Sequence, residues 1–229
     1  MPSVLITGAS HRQGIASACA VKLARLGWKI GLTGAHGYDD LGIEVEFVEA
    51  DLADATAPAR IFDVLEPRVG PFTALIAAHS RDVELPLAAS TAEELDLHFA
   101  INARAVALLI QEFARRLRGD DGRIVAFTSD ALRDNVPYGV SKAALDRIVR
   151  AAATELGPRG IRANCVNPGP TETGWISDEL RADISRHSPL GRPSLPEDSA
   201  NLVAYLLSAE GAWISGQLLY SNGGLQSRP

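Results

Sequence analysis

Short apolar runs alternate with helical hydrophobic periods along the whole chain. Segments between most of these runs carry apolar residues at steps of three and four, a spacing typical of amphipathic helices. Such alternation predicts an α/β fold: one doubly wound parallel sheet of about seven strands, covered by helices on both faces and formed by residues 1–229 as a single domain. The predicted strands are Val4–Thr7, Lys29–Thr33, Val45–Glu49, Ala74–Ala78, Arg123–Thr128, Arg162–Val166 and Leu218–Tyr220.

Three helices have clear sequence signals. Thr91-x-x-Glu94 is a capping box, and apolar residues follow it on one stripe, so the pattern predicts a long helix over Thr91–Arg118. A second helix follows Tyr138 and stops at Gly157-Pro158. A third is predicted from Glu197 to Ser208, directly after Pro196.

The connection between the second and third strands is short. Only residues 34–44 separate Thr33 from Val45, and they include three glycines. Because a parallel crossover usually takes a dozen residues or more, we predict that this crossover helix is missing or reduced to a turn.

Charge and composition exclude several classes of partner. The chain has 22 basic and 28 acidic side chains. Its net charge of −6 therefore does not favour binding to nucleic acid or to an anionic membrane. No apolar stretch reaches the length of a membrane span, and the N-terminus runs directly into a strand, so we expect neither a span nor a signal peptide. Cys19 and Cys165 lie within predicted elements, which favours a reduced, cytoplasmic protein, and no spacing typical of a metal site is present.

A polar, glycine-bearing turn joins the first strand to the first helix. Main-chain N–H groups at such a helix N-terminus can bind a pyrophosphate, which the helix dipole also favours. An ordinary strand-to-helix turn is the alternative reading, because two glycines at this distance are a weak signal. The candidate nucleotide-binding residues here are Gly8, Ser10, His11, Arg12, Gly14 and Ile15.

Tyr138-Gly-Val-Ser-Lys142 places a phenol and an ammonium one helical turn apart. A nearby cation stabilises phenolate, so the pair predicts a tyrosine whose pKa is lowered toward neutrality for proton transfer. Ser129 closes the fifth predicted strand, and carboxyl ends of parallel strands face the ligand crevice. A solvated helix face and a turn serine are the corresponding structural alternatives.

With these motifs in this order, the chain resembles the short-chain dehydrogenase/reductase family over its full length. That family consists of single-domain Rossmann enzymes with the glycine pattern T-G-x-x-x-G-x-G. Here five residues separate Gly8 from Gly14, and Ala16 stands where the last glycine would be, so we expect the loop to bulge.

The resemblance implies roles for four residues. Tyr138 would give or take the proton, Ser129 would orient the substrate oxygen, and Lys142 would lower the pKa of Tyr138 and hold the nicotinamide ribose. Asn102 would support a proton relay to Lys142; a core asparagine bonded to neighbouring backbone is the alternative. Ser129 precedes Tyr138 by nine residues, fewer than is usual in the family, so the short 130–137 loop should reshape one wall of the substrate pocket.

Further cofactor contacts follow from the same resemblance. Asp51 and Leu52 would lie on the adenine side, and Thr171 or Thr173 would reach the carboxamide of the nicotinamide. The sequence Ala77-Ala78-His79-Ser80 replaces the expected Asn-Asn-Ala-Gly, so we expect polar braces of the sheet to be lost and His79 to form part of the pocket wall. The complete additional set is Asp51, Leu52, Ala78, Pro168, Gly169, Thr171 and Thr173.

The expected reaction is hydride transfer between a nicotinamide and a small carbonyl or alcohol substrate, as in a ketoreductase acting on a 3-oxoacyl thioester or similar ketone. No acid follows the second strand before Asp39, whereas His11 and Arg12 lie in the glycine loop, which favours NADP(H) over NAD(H). Residues 170–193 are predicted to form an apolar lid. The resemblance also implies a homotetramer or homodimer, built from the outer faces of the two long helices.

Two other functions remain open on this sequence. The altered glycine loop and the changed 77–80 segment favour a nucleotide-sensing or scaffold protein, whereas Ser129, Tyr138 and Lys142 favour an enzyme. A cofactor-free lyase or dehalogenase on the same fold would not need Lys142 to bind a ribose.

Overall fold

The computed structural model describes residues 1–131 and 134–225. Leu132 and Arg133, which belong to the predicted 130–137 loop, and residues 226–229 lie outside the described residues. All strands form one parallel sheet in the order β3-β2-β1-β4-β5-β6-β7, which confirms the predicted α/β class. The strands are β1 (Ser3–Thr7), β2 (Lys29–Gly34), β3 (Glu46–Glu49), β4 (Ala74–Ala77), β5 (Gly122–Phe127), β6 (Ile161–Asn167) and β7 (Leu218–Tyr220).

Helices cover both faces of the sheet. One hydrophobic core lies between the sheet and α2, α4 and α5, and the other lies between the sheet and α1 and α7. The near-continuous apolar strands follow from this double cover, because both faces of each central strand are buried. The α-helices are α1 (Ile15–Arg25), α2 (Ala57–Val69), α3 (Ala92–Phe99), α4 (Ala105–Arg116), α5 (Val136–Leu156), α6 (Asp178–His187) and α7 (Pro196–Leu206).

The connection from β2 to β3 contains no helix, as its length and glycine content predict. Leu41 is buried in the core on the α1 side of the sheet, and the Tyr38 ring packs on Phe47 of β3 with centroids 4.8 Å apart. These two side chains anchor the connection, which runs across the edge of the sheet instead of forming a separate layer.

The predicted long helix over Thr91–Arg118 is present from Ala92 onward, with a π-helical turn inside it and an earlier end. A π-helical turn at Ala100–Arg104 separates α3 from α4, and the helix ends at Arg116. Thr91 caps α3 as predicted, since its hydroxyl accepts the Glu94 N–H at 3.2 Å. The Glu94 side chain does not complete a capping box, because its carboxylate forms a two-pronged ion pair with Arg81.

Two other helices begin slightly earlier than predicted. Helix α5 starts at Val136, two residues before Tyr138, and α7 starts at Pro196. In both helices a proline occupies the first turn, where its missing N–H has no helical partner to lose. Across the described parts of the chain, no helix has the length and apolarity that crossing a membrane requires.

Candidate active site

Three of the predicted catalytic side chains come together at the carboxyl end of the sheet. Ser129 lies two residues beyond the end of β5 and hydrogen-bonds the Tyr138 phenol, while Tyr138 and Lys142 share one face of α5. The Lys142 ammonium lies 5.7 Å from the centroid of the Tyr138 ring. A hydroxyl and a phenol therefore lie at one edge of the crevice, with an ammonium buried beneath them.

Lys142 is buried beneath this group. Its Nζ donates to the main-chain carbonyls of Phe127 at 2.9 Å and His79 at 3.4 Å, and only 2% of the residue is exposed. Burial lowers the pKa of Lys142 to about 8, and the carboxylates of Asp82 and Asp146 partly oppose that shift. These contacts hold the ammonium at the ends of β4 and β5.

Tyr138 does not have the lowered pKa that the sequence predicts. Burial raises the pKa of its phenol to about 12, the carboxylates of Asp82 and Asp130 add to that rise, and only the Ser129 hydroxyl opposes it. Two N–H groups of the Lys142 ammonium are engaged by carbonyl oxygens, and the ammonium faces the ring rather than bonding to the phenol oxygen. The residues of this chain therefore favour the protonated phenol.

Asn102 lies in the π-helical turn and is fully buried. Its Oδ1 accepts the Arg81 N–H at 2.7 Å, and its Nδ2 donates to the Arg81 carbonyl and to Ser141 Oγ, both at 2.9 Å. Ser141 in turn donates to the Tyr138 carbonyl at 2.8 Å. The amide thus connects the π-helical turn to the first turn of α5, and these contacts agree with the reading of a core asparagine.

His79 corrects the expectation that the 77–80 segment loses its polar braces. The imidazole is 7% exposed; its Nδ1 lies 2.6 Å from Thr7 Oγ1, and its Nε2 lies 3.0 Å from the Ile101 carbonyl. These bonds join β1 to the π-helical turn, so the ring itself is a brace.

The glycine loop bulges as its length predicts. Arg12 and Gln13 form a turn that is closed by a hydrogen bond from Gly14 N–H to the His11 carbonyl at 3.0 Å. Helix α1 then begins at Ile15 with no side-chain cap and no acidic residue in its first turn. Main-chain N–H groups at this end are therefore left for a phosphate, and the loop fits the pyrophosphate of a dinucleotide.

The side chains of this loop take different positions. His11 and Arg12 are exposed, whereas Ser10 packs so closely on Gly34 that a Cβ at Gly34 would lie 2.7 Å from the serine hydroxyl. Asp39, in the middle of the β2–β3 connection, reaches the glycine loop and accepts the Arg12 main-chain N–H at 2.7 Å. An acid thus lies beside the main chain of Arg12, which sequence spacing alone did not show.

The predicted adenine-side and nicotinamide-side residues follow the ends of β3, β4 and β6. Asp51 caps its own turn by accepting the Ala53 N–H, Leu52 is buried, and the Ala78 N–H donates to the Thr7 hydroxyl.

After β6, the Asn167 amide oxygen accepts the Gly169 N–H at 3.0 Å, which fixes the turn that follows Pro168. The Thr171 hydroxyl is buried and donates to the Gly169 carbonyl, whereas Thr173 is only half-buried. Of the two threonines, Thr173 is the more exposed.

The segment predicted as a lid contains α6 and is closed at its base. Glu172 N–H donates to the Ser194 carbonyl at 2.9 Å, and Ser194 N–H donates to the Pro170 carbonyl at 3.0 Å. Ile176 and Ile184 are buried, while Trp175 is 58% exposed. The apolar face is thus shared between the packing of the segment itself and the surface of the crevice.

A cavity of about 370 Å³ opens beside Ser129. It lies between the outer side of α5 and the ends of β5, β6 and β7, and Asp130, Asp146 and Tyr220 contribute to its walls. Within residues 1–131 and 134–225, no three His, Cys, Asp or Glu side chains are grouped as metal ligands.

Sequence reasoning missed four residues that shape this site: His79 as a brace, Arg81, Asp82 and Ser141. Each acts through a main-chain partner or a long-range contact, so no local spacing marks it. For Ser141, its place within Tyr138-Gly-Val-Ser-Lys142 was the only available signal.

Known proteins resemble this chain over nearly its whole length. A family model described as Enoyl-(Acyl carrier protein) reductase matches residues 8–226. The uncharacterized oxidoreductase YjdA of Bacillus subtilis is 37% identical over 96% of this chain and 95% of its own length. An NADPH-dependent aldehyde reductase-like protein of Arabidopsis thaliana, described as chloroplastic, is 33% identical over 96% of this chain and 92% of its own.

Among solved structures, a short-chain dehydrogenase/reductase from Serratia marcescens superposes with a TM-score of 0.89. It is 27% identical, and the match covers 99% of this chain and 98% of that one. Fold, site and relatives agree on the class of protein, an oxidoreductase built on a Rossmann-like sheet. The chain belongs to the short-chain dehydrogenase/reductase family, whose members generally use NAD(P).

Proposed function

We propose that this protein is an NADP(H)-dependent carbonyl reductase that transfers hydride between the nicotinamide and a carbonyl or alcohol carbon. The observation that carries this proposal is the convergence of Ser129, Tyr138 and Lys142 at one edge of the crevice. A nucleotide-sensing or scaffold protein would not need a phenol and an ammonium together at this place.

Each side chain has a task in the proton transfer. A bound nicotinamide would supply the hydride, and in open α/β sheets such a cofactor binds at the carboxyl ends of the strands. Ser129 donates a hydrogen bond to the substrate carbonyl oxygen and orients it. Tyr138 then gives its phenolic proton to that oxygen, and the Lys142 ammonium stabilises the phenolate that remains.

The direction of proton transfer follows from the raised pKa of Tyr138. At neutral pH a phenol with a pKa of about 12 is protonated, so it is ready to act as an acid. We therefore propose that Tyr138 acts as the acid when a carbonyl substrate is reduced. Any relay of protons through Asn102 would use its main-chain carbonyl, because its amide already bonds Arg81 and Ser141.

We propose the preference for NADP(H) because of the basic residues in the glycine loop. Arg12 and His11 are exposed there, and the residues that end β2 and follow it, Gly34 and Ala35, carry no acid. Asp39 lies against the Arg12 main chain and opposes a 2′-phosphate, so the preference should be modest. The printed name of the Arabidopsis relative includes NADPH.

A partly apolar ketone or aldehyde fits the crevice best, with a 3-oxoacyl thioester among the candidates. Residues 170–193 offer the exposed apolar side chains of Trp175 and Leu180 as a lid. The name of the Arabidopsis relative mentions an aldehyde.

We further propose a cytoplasmic, single-domain homotetramer or homodimer. Both cysteines are free and buried. The outer faces of α4 and α5 are candidate contacts between subunits, and so is the edge strand β7, beside which Trp213 is 98% exposed and Tyr220 is 55% exposed. Light scattering on the purified protein measures the assembly.

The activity is tested by offering NADPH and NADH with a panel of substrates and following the absorbance of the reduced nicotinamide. The panel contains a 3-oxoacyl thioester, an aliphatic aldehyde, a cyclic ketone and, because of the name of the family model, an enoyl thioester. We expect turnover of carbonyl compounds with NADPH. Tight nucleotide binding without turnover of any substrate would favour the sensor, and absence of nucleotide binding would favour a cofactor-free enzyme.

A further inference from the structure

We propose that His79 is a positioning residue of the active site: as a neutral imidazole it ties β1 to the π-helical turn and so sets the carbonyl that holds Lys142. This inference rests on the proposed function for its kinetic consequences. Its structural part, the bonded and neutral ring, stands independently of any turnover.

The first step is the position of the ring. His79 lies two residues beyond β4, and its two nitrogens face opposite elements, Thr7 at the end of β1 and Ile101 in the π-helical turn. The same turn carries Asn102. The His79 side chain therefore joins β1 to the π-helical turn.

The second step is the tautomer. The Ile101 carbonyl can only accept, so Nε2 must carry the proton. Nδ1 then has a free lone pair and accepts the Thr7 hydroxyl at 2.6 Å, while Thr7 Oγ1 accepts the Ala78 N–H at 3.3 Å. The other acceptor within reach of the Thr7 hydroxyl, the Ile76 carbonyl, is at 3.5 Å, so the neutral Nε2–H form is the one that gives this hydroxyl a short hydrogen bond.

The third step is the charge. Burial and the nearby Lys142 ammonium lower the pKa of His79 to about 3, so the ring stays neutral. A second charge next to Lys142 would also disfavour the ammonium. The neutral imidazole is thus compatible with the buried cation, whereas a protonated one is not.

The main chain of His79 also contacts Lys142. Main-chain atoms of the same residue supply the carbonyl oxygen that accepts Lys142 Nζ at 3.4 Å, next to the Phe127 carbonyl at 2.9 Å. Rotation of residue 79 about its backbone would move this oxygen away from the ammonium. Because the ring is fixed at both nitrogens, that rotation is blocked, and the ammonium stays facing Tyr138.

His98 provides a matched control. It is also fully buried and bonded at both nitrogens, with Nδ1 at 2.7 Å from the Glu94 carbonyl and Nε2 accepting the Val83 N–H at 3.3 Å. Its contacts lie around α3 and do not include Lys142. Replacing either ring by phenylalanine removes two buried hydrogen bonds, but only at position 79 does the change reach the ammonium.

The test compares His79→Phe with His98→Phe by thermal unfolding and by the pH profile of kcat for ketone reduction with NADPH. Both variants should lower Tm. Only His79→Phe should lower kcat, by about tenfold to a hundredfold, with a KM for the ketone within about threefold. Water that reaches the loosened Lys142 should raise the pKa of its ammonium. The alkaline limb of the kcat profile should therefore move upward by roughly one pH unit.

Other titratable groups act on Lys142 and are left unchanged in both variants. They are Asp82 after β4, Asp146 and Tyr138 on α5, and Cys165 on β6. A shift confined to His79→Phe therefore belongs to the brace. If His79→Phe does not fold, His79→Asn, which can keep at most part of the bridge, gives the same comparison.

A measurement without substrate separates this inference from the proposed function. In the full-length protein, nitrogen NMR of the imidazoles should show His79 as the Nε2–H tautomer, unchanged from about pH 5 to about pH 8. A ring that titrates in this range, or equal kcat and pH profiles for His79→Phe and wild type, would overturn the inference. A protein with no reductase activity but a non-titrating His79 would instead overturn the proposed function alone.

Discussion

The two ends of the crevice rely on different chemical groups. The nucleotide end, comprising residues 8–15 and 34–39, relies on main-chain groups: the Gly8 and Ala9 N–H groups bond the Thr33 carbonyl, and α1 begins without a side-chain cap. The proton-transfer end, comprising His79, Asn102, Ser129, Tyr138 and Lys142, relies on side chains. Its supporting residues His79, Asn102 and Lys142 are buried and hydrogen-bonded.

This difference explains why one end tolerates an altered sequence and the other does not. An inserted pair of residues in the glycine loop is absorbed by a turn, because main-chain N–H groups of α1 keep their direction whatever side chains precede them. Replacement of a polar pair near β4 requires a new side chain, His79, that satisfies partners on two other elements. Substitutions at the proton-transfer end should therefore have the larger effects.

The largest effect is expected for Tyr138→Phe, which removes the proton donor and leaves the ring in place. We expect kcat for ketone reduction to fall by about a thousandfold, within the range of general acid catalysis, while the dissociation constant of NADPH changes by less than about threefold. Fluorescence titration measures binding, and Tyr205→Phe, on an exposed face of α7, is the control. Full activity of Tyr138→Phe would show that the proton-transfer end does not rely on this side chain, and the contrast with the nucleotide end would then disappear.

The next effect is expected at Gly8, where the two ends touch. Gly8 has φ +85°, and a Cβ there would lie 2.6 Å from the main-chain nitrogen of His79. Gly27 shares the positive φ, +83°, with no heavy atom within 4 Å of an added Cβ.

We expect Gly27→Ala to lower the free energy of unfolding by about 1 kcal/mol through backbone strain alone. Gly8→Ala should lower it by about 3 kcal/mol or more, because the main chain of His79 must also move. Urea unfolding measures both variants. Equal losses would mean that Gly8 is needed only for its backbone conformation and that the approach to His79 costs nothing.

Most of the fold was predictable, because strand ends and the missing crossover helix follow from local patterns. Ser129, Tyr138 and Lys142 also follow from spacing and strand ends. The π-helical turn was not predictable, since the stripe of apolar residues through Asn102 has the same period on either side of it. Nor was the raised pKa of Tyr138, because Asp82 is distant in sequence and burial depends on the packed structure.

Asp82 offers a smaller test at the rim of the proton-transfer end. Its carboxylate raises the pKa values of both Tyr138 and Lys142, so Asp82→Asn should lower both. Reduction needs the protonated phenol and the ammonium. In the variant both groups would lose their protons at a lower pH than in the wild type. The alkaline limb of kcat should therefore move downward by roughly half a pH unit.

Added salt should shrink the effect of Asp82→Asn, because Asp82 is exposed. Glu84→Gln, an exposed carboxylate two residues further along, is the control and should leave the limb in place. An upward shift in Asp82→Asn would show that the Asn135 amide, which donates to Asp82, matters through structure and not through charge.

The smallest effect is expected at the nucleotide end, where Asp39 accepts the Arg12 main-chain N–H. Asp39→Asn removes a negative charge beside the proposed 2′-phosphate site while keeping an oxygen for that N–H. The ratio of kcat/KM with NADPH to kcat/KM with NADH should rise by about twofold to threefold, as expected for one exposed charge in high dielectric. Asp40→Asn is the matched control, because Asp40 caps the neighbouring Gly42 N–H instead. An unchanged ratio in Asp39→Asn would mean that side chains at this end do not select the nucleotide, and the reliance on main-chain groups would then extend to cofactor choice as well.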